Sequence, residues 1–292
     1  MGAGPLSLRP GFSAWPAPAK LNLFLHILGR RADGFHLLQT VFQLLDWGDT
    51  VHLAARPDGR IQRLNDLPGV PEPADLSIRA AQALREYSGC TLGADIDIDK
   101  RIPAGAGLGG GSSDAASTLV GLNHLWGLEL SVDELADIGL KLGADVPVFV
   151  RGQCAWAEGI GEKLQAIELP DRWFLVISPP CQVSTATIFG DPELRRDHPP
   201  VSMDDFLSGR CGNDCEPVTR RGFPAVDAAF DHCRALGLQA QLSGTGASLF
   251  MTFNSQACAQ AAQAQIQGTL PTVLARGVQR STLLHALGIA AN

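Results

Sequence analysis

The stretch PAGAGLGGGSSDAA, residues 103–116, holds five glycines, two serines and an aspartate, and it opens into an alanine-rich run. Glycines gather where a backbone must turn sharply or lie close to another group. A glycine loop feeding a helix offers converging N–H donors and the positive end of the helix dipole, a combination that suits phosphate. Ser112 and Ser113 add hydroxyls at the expected helix start. Pro103, Ala104, Gly105, Ala106, Gly107, Leu108, Gly109, Gly110, Gly111, Ser112 and Ser113 are therefore a candidate phosphate cradle. The bland alternative is a flexible turn with a serine cap. Gly105, Gly107 and Gly110 satisfy G-x-G-x-x-G, but the segment before them alternates with aspartates, whereas a dinucleotide-binding first strand is apolar on both faces. Gly105 and Gly110 also have the Walker A spacing, but Gly111 stands where its lysine belongs. The seven cysteines are scattered and read as reduced thiols. Cys211 and Cys215 have no second Cys/His pair at matching spacing, so a surface loop is expected there rather than a metal site.

The elements that must position this loop follow from periodicity. Ala19–Ile27 reads as a strand with Leu21, Leu23, Leu25 and Ile27 on one face and Lys20, Asn22 and His26 on the other. Asp33-Gly34 is a turn, Phe35–Leu45 the returning strand, and Thr50–Ala55 a further one. Residues 57–75 form an irregular connection, and Asp75-Leu76-Ser77 opens a helix to about Tyr87. Ala94–Ile102 alternates isoleucine with aspartate, as a half-exposed strand does. A helix is expected over Ser112–Trp126. Another begins at the capping box Ser131–Glu134 and ends by Gly143, followed by a turn at Ala144–Pro147 and a strand from Val148 to Val150. The pattern resets near Pro170. Beyond it come a strand at Phe174–Ile177, loops over 190–215, a helix at Ala225–Leu236, extended segments around the turn SGTG within Leu242–Phe253, and a helix over Ser255–Gln267.

The chain of 292 residues suits one large domain or two modest ones, and its net charge of −7 argues against general binding to nucleic acid or anionic membranes. No apolar run reaches the length of a spanning helix. Residues 1–20 read as a lead-in with no secretory pattern, and Leu6 breaks the myristoylation motif. The cytoplasm is the expected location.

P-x-x-x-G-L-G-x-G-S-S at Pro103–Ser113 resembles the phosphate loop of the GHMP kinases. PAKLNLFL (18–25) and SGTGASLF (243–250) resemble the first and third motifs of that family. Longer segments, PAKLNLFLHILGRRADGFHLLQTVF, LGADVPVFVRGQ, AEGIGEKL and NDCEPV, resemble the branch whose acceptor is a cytidine-diphosphate-linked sugar alcohol, CDP-methylerythritol. The resemblance implies an α+β, two-domain GHMP kinase fold. Residues 1–169 would form a domain like ribosomal protein S5 domain 2, and residues 170–292 a ferredoxin-like domain. It implies ATP and Mg²⁺, a small-molecule acceptor phosphorylated on its 2-hydroxyl, and a monomer or weak homodimer. No residue is assigned to the metal.

Residue by residue, the resemblance makes Asp145 the base that takes the hydroxyl proton, set in a helix-to-strand turn. Lys20 would pair with it and Asn22 would contact substrate. Phe35, His36 and Phe189 would hold the cytosine, with Phe35 standing where a tyrosine is expected. Leu76 and Lys100 would line the adenine pocket. Gly244, Thr245 and Gly246 would lie near the phosphates, the alternative being an ordinary hairpin turn. Asp114 stands where asparagine or serine is expected, and no role is assigned to it. Competing readings are a mevalonate- or homoserine-type kinase, which the cytosine-holding residues and GADVP oppose; a non-catalytic relative, which Lys20 and Asp145 oppose; and a nucleotide-dependent oxidoreductase, which the aspartate-bearing strand opposes.

Overall fold

The structure, a computed structural model, describes residues 11–266 and 268–286. The readings made for residues 1–10 and Gln267 lie outside them. Strands β1 (Ser13–Arg30) and β2 (His36–Arg56) form one long antiparallel hairpin around the Asp33-Gly34 turn, paired from Ser13↔Leu53 to Arg30↔His36 with register shifts at Pro18/Lys20, Asn22/Leu25 and Ile27/Gly29. The lead-in is thus already strand from Ser13. The expected break between Phe35–Leu45 and Thr50–Ala55 does not occur. Gly48 lets β2 run on, because a Cβ there would sit 2.2 Å from the Ala17 carbonyl oxygen of the paired strand β1.

The chain continues through β3 (Ile61–Arg63), α1 (Leu76–Ser88), β4 (Gly93–Asp99) and α2 (Gly110–Leu125). Then come α3 (Val132–Leu140), α4 (Val146–Arg151), β5 (Ala155–Glu158) and β6 (Lys163–Ala166). The Asp75 side chain accepts from Ser77 N at 2.8 Å to cap α1, and the Ser131–Glu134 capping box starts α3. Helices α1 and α2 cover the sheet over a core that includes Trp15, Leu53, Ile96 and Leu119. Val148–Val150 is helix, not strand. The run Val146–Val150 is buried on every side, so it carries no period, and Pro147 fits a first helical turn. Asp145 is consequently the N-cap of α4 rather than part of a helix-to-strand turn. Strands β1 and β4 are also less exposed than alternation suggests: Lys20, Asn22, His26 and Asp97 are all buried.

The second half runs β7 (Trp173–Ile177), α5 (Thr185–Gly190), α6 (Met203–Leu207), α7 (Glu216–Gly222), α8 (Pro224–Ala235), β8 (Gln241–Leu242), β9 (Leu249–Phe253), α9 (Gln256–Ile266), β10 (Thr272–Val278) and α10 (Thr282–Ala286). Its strands lie in the order β10-β7-β9-β8, all antiparallel, the ferredoxin-like arrangement expected from the resemblance. Strand β10, along with β5 and β6, escaped the sequence reading. It also pairs with β2 through Gly277↔Leu45 and Val278↔Leu44, which makes one continuous sheet across both halves. No helix among the described residues is long and apolar enough to cross a membrane.

Candidate active site

The glycine loop leaves the end of β4 and enters α2 with Gly109 as N-cap, in the left-handed region at φ 74°. The helix starts at Gly110, two residues before the expected Ser112. No side chain caps it, so its first-turn N–H groups are left for a ligand. A Cβ on Gly109 would lie 2.7 Å from the Phe149 ring and 3.1 Å from Lys20 Cε, so only glycine fits this approach. Ser112 lines the adjoining cleft. Ser113 is buried, and its Oγ has no partner among the described residues.

The second glycine turn is bonded to the first. Ala247 N donates to Gly105 O at 3.1 Å, Ser248 N to Ala106 O at 3.0 Å, and Ser243 Oγ to Gly107 O at 3.1 Å. Asn213, in the NDCEPV segment, donates to the carbonyls of Leu242 and Gly244 and so holds that turn from behind. Lys20 N donates to Leu108 O at 3.0 Å, fixing the loop to β1 as well.

One cleft of about 560 Å³ gathers Lys20, Asn22, Leu76, Lys100, residues 103–112, Asp145, Phe189, Gly244 and Thr245. Lys20 Nζ lies 3.2 Å from Asp145 Oδ2 and 2.5 Å from Asn22 Oδ1. Asn22 in turn donates to Thr40 Oγ1 at 2.9 Å. The lysine is 3% exposed, so its ammonium is aimed by buried partners, while the Asp145 side chain is 33% exposed and open to the cleft. In such a pair the open carboxylate can receive a proton from an alcohol, while the buried cation balances charge on a transferring group.

Lys100 lines the cleft, but its ammonium sits between Asp49 Oδ2 at 2.5 Å and Asp114 Oδ2 at 2.7 Å. Burial works to lower the Lys100 pKa, but Asp114 and Asp49 outweigh it and hold the ammonium above the usual lysine value. Burial pushes the Asp114 carboxyl well up, against the pull of Lys100 and with a push from Asp49. Its Oδ1 is buried with no hydrogen-bond partner among the described residues. Asp49 is anchored by the Arg101 and Ile102 N–H groups. The sequence reading missed Asp49 because it falls in the gap left between two expected strands.

Leu67 and Val70, from the connection read as irregular, join Leu76 on the apolar part of the cleft wall. Phe35, His36 and Gly246 do not line it. Phe35 is 56% exposed. The His36 ring stacks directly on Phe189, centroids 4.8 Å apart and planes 16° apart. Burial, then Arg196 and Arg30, hold the His36 pKa below the ordinary histidine value. Among the described residues no group of three or more His, Cys, Asp or Glu side chains is placed to hold a metal ion.

Comparisons with known proteins bear on the family and the fold. The model of the GHMP kinase N-terminal domain matches residues 75–153, and that of the GHMP kinase C-terminal domain matches residues 195–272. The chain is 55% identical over 281 residues to 4-diphosphocytidyl-2-C-methyl-D-erythritol kinase of Xanthomonas campestris pv. campestris (strain B100), covering 96% of this chain and 95% of that one. It is 52% identical over 283 residues to the protein of the same name from Halorhodospira halophila (strain DSM 244 / SL1), covering 96% and 98%. A crystal structure of 4-(cytidine 5'-diphospho)-2C-methyl-D-erythritol kinase superposes with a TM-score of 0.76 at 31% identity, over 91% of this chain and 99% of that one. A homoserine kinase from Cytophaga hutchinsonii shares the fold alone, with a TM-score of 0.63 at 16% identity over 96% and 98%.

Proposed function

The chain belongs to the GHMP kinase family, within its 4-diphosphocytidyl-2-C-methyl-D-erythritol kinases, and from that premise we propose that it moves the γ-phosphoryl group of ATP to the 2-hydroxyl of 4-diphosphocytidyl-2-C-methyl-D-erythritol. The observation that carries the reading is the Lys20–Asp145 pair at 3.2 Å, on the same cleft as the uncapped N-terminus of α2. In this reading the Asp145 carboxylate takes the proton of the 2-hydroxyl as the oxygen attacks phosphorus. Lys20, aimed by Asn22, favours the ionised carboxylate and offsets charge on the transferring group. The loop N–H groups and the dipole of α2 receive the phosphates. Leu67, Val70 and Leu76 offer an apolar wall for adenine, and the cytosine is assigned to Phe189, which lines the cleft, with His36 stacked on it and Phe35 exposed outside the lining. The two domains divide at 169/170.

Mg²⁺ completes the reading. Such an ion keeps several waters and takes one or two carboxylates beside the substrate phosphates, and when bound it neutralises charge on the β- and γ-oxygens. The unpartnered Asp114 Oδ1, on a residue that lines the cleft, fits that need. The test is ADP release from Mg·ATP and the named acceptor, with Asp145→Asn alongside. Turnover that drops by a factor of about 1,000 or more in the variant is expected. A wild-type protein that binds ATP but leaves this acceptor untouched refutes the substrate.

A further inference from the structure

Arg196, in the loop after α5, has its guanidinium engaged on every nitrogen. Nη2 donates to the carbonyls of Phe189 at 2.8 Å and Asp191 at 2.7 Å, and Nη1 donates to Leu194 O at 3.0 Å. Nε donates to His36 Nε2 at 3.1 Å. A guanidinium has donors only and keeps its proton at any working pH, so the ring nitrogen that meets it must be an acceptor. A neutral imidazole with Nε2 as acceptor carries its proton on Nδ1. Among the described residues nothing bonds His36 Nδ1, while stacking on Phe189 fixes the plane of the ring. Three backbone carbonyls orient the guanidinium, so the direction of this hydrogen bond is built into the loop rather than left to solvent.

We propose that Arg196 is a positioning and specificity-determining residue: it locks His36 as an Nδ1–H donor, and that donor selects a cytosine edge over a uracil edge. Cytosine presents a bare N3 lone pair, which accepts from a ring N–H. Uracil presents N3–H at the same place, so two donors would face each other with no acceptor between them. A site built around such a bond rejects the mispaired analogue strongly, because a desolvated donor is left unmade. The selection rests on the reading of His36 as a contact of the cytidine base; the tautomer does not.

Nitrogen-15 NMR of the labelled full chain without ligand tests the tautomer, with the His36 signals identified by their loss in His36→Asn. A protonated Nδ1 and a pyridine-type Nε2 are expected in the wild type. A mixture of tautomers is expected in Arg196→Met, with return toward the wild-type form in Arg196→Lys. A wild-type Nε2–H, or an unchanged spectrum in Arg196→Met, overturns the proposal, and the wild-type spectrum decides even if the variant does not fold. The second arm compares kcat/KM for the CDP-linked acceptor and its UDP-linked analogue. The preference for cytosine is expected to fall about tenfold or more in Arg196→Met, chiefly through KM. Equal loss on both acceptors overturns the selective role and leaves Arg196 a loop brace. A wild type that acts on neither acceptor, with the expected spectrum, refutes the substrate reading while the tautomer assignment stands.

Discussion

At the scale of single residues, the chemistry turns on a buried lysine whose direction is set by its neighbours. Lys20 is held by Asn22 and faces Asp145, and Asn22 is itself tied to Thr40. Lys20→Met keeps the length of the side chain and removes the charge. It should lower kcat by about 100- to 1,000-fold, with kcat/KM falling in parallel, as when a charge-stabilising donor is removed from an oxyanion site. Lys20→Arg should not restore the rate, because a fork-shaped guanidinium does not fit a position that is 3% exposed. Steady-state kinetics on both variants check this, and a wild-type rate in Lys20→Met would reduce the lysine to packing.

At the scale of elements, the two glycine turns act as one unit. Gly107 sits in the left-handed region at φ 73°, and a Cβ there would lie 2.3 Å from Ser243 O and 2.8 Å from Gly246 O. Those are backbone atoms of the second turn and cannot step aside. Gly107→Ala should therefore push the turns apart, raise KM for ATP and lower stability by about 2 kcal/mol or more. Nucleotide titration together with denaturant unfolding measures both effects. An alanine variant with unchanged KM for ATP would show that the loop does not depend on the turn beneath it.

At the scale of the whole molecule, a second buried cluster joins the halves. His26 of β1 stacks on His198 with centroids 3.5 Å apart. His198 Nδ1 lies 2.9 Å from Asp214 Oδ1, and Asp214 accepts from Ile27 N at 2.8 Å. Burial first, then the His198 charge, lower the His26 pKa to about 4, with Asp214 opposing and Arg195 adding a little. The unfolded chain therefore binds a proton at this site that the folded chain refuses between about pH 6.5 and pH 4. Stability from His26 is intact above the unfolded value and is lost as pH falls through that window, by about 2 kcal/mol at roughly pH 5. Urea unfolding at roughly pH 7.5 and roughly pH 5 should show that extra loss in the wild type and not in His26→Gln. Equal pH dependence in the two proteins would rule the cluster out as its source.

The sequence by itself determined the features set by local chemistry. The glycine loop and its helix, the Asp33-Gly34 turn, the Ser131–Glu134 capping box, the return to a strand after Pro170 and the SGTG turn all follow from residue type and short-range period. What only the tertiary structure decided depends on burial from both sides. β2 runs unbroken through Gly48 because its partner β1 lies too close there for any side chain. Val148–Val150 proves helical where a strand is expected, because a segment buried all round has no period to read. β10 reaches β2 from more than two hundred residues away, and no local pattern encodes that partner. Asp49 likewise reaches Lys100 from a strand 51 residues back, and the arginine behind His36 comes from a distant loop. Distance along the chain leaves no periodic trace, and packing alone brings such groups within a hydrogen bond of one another.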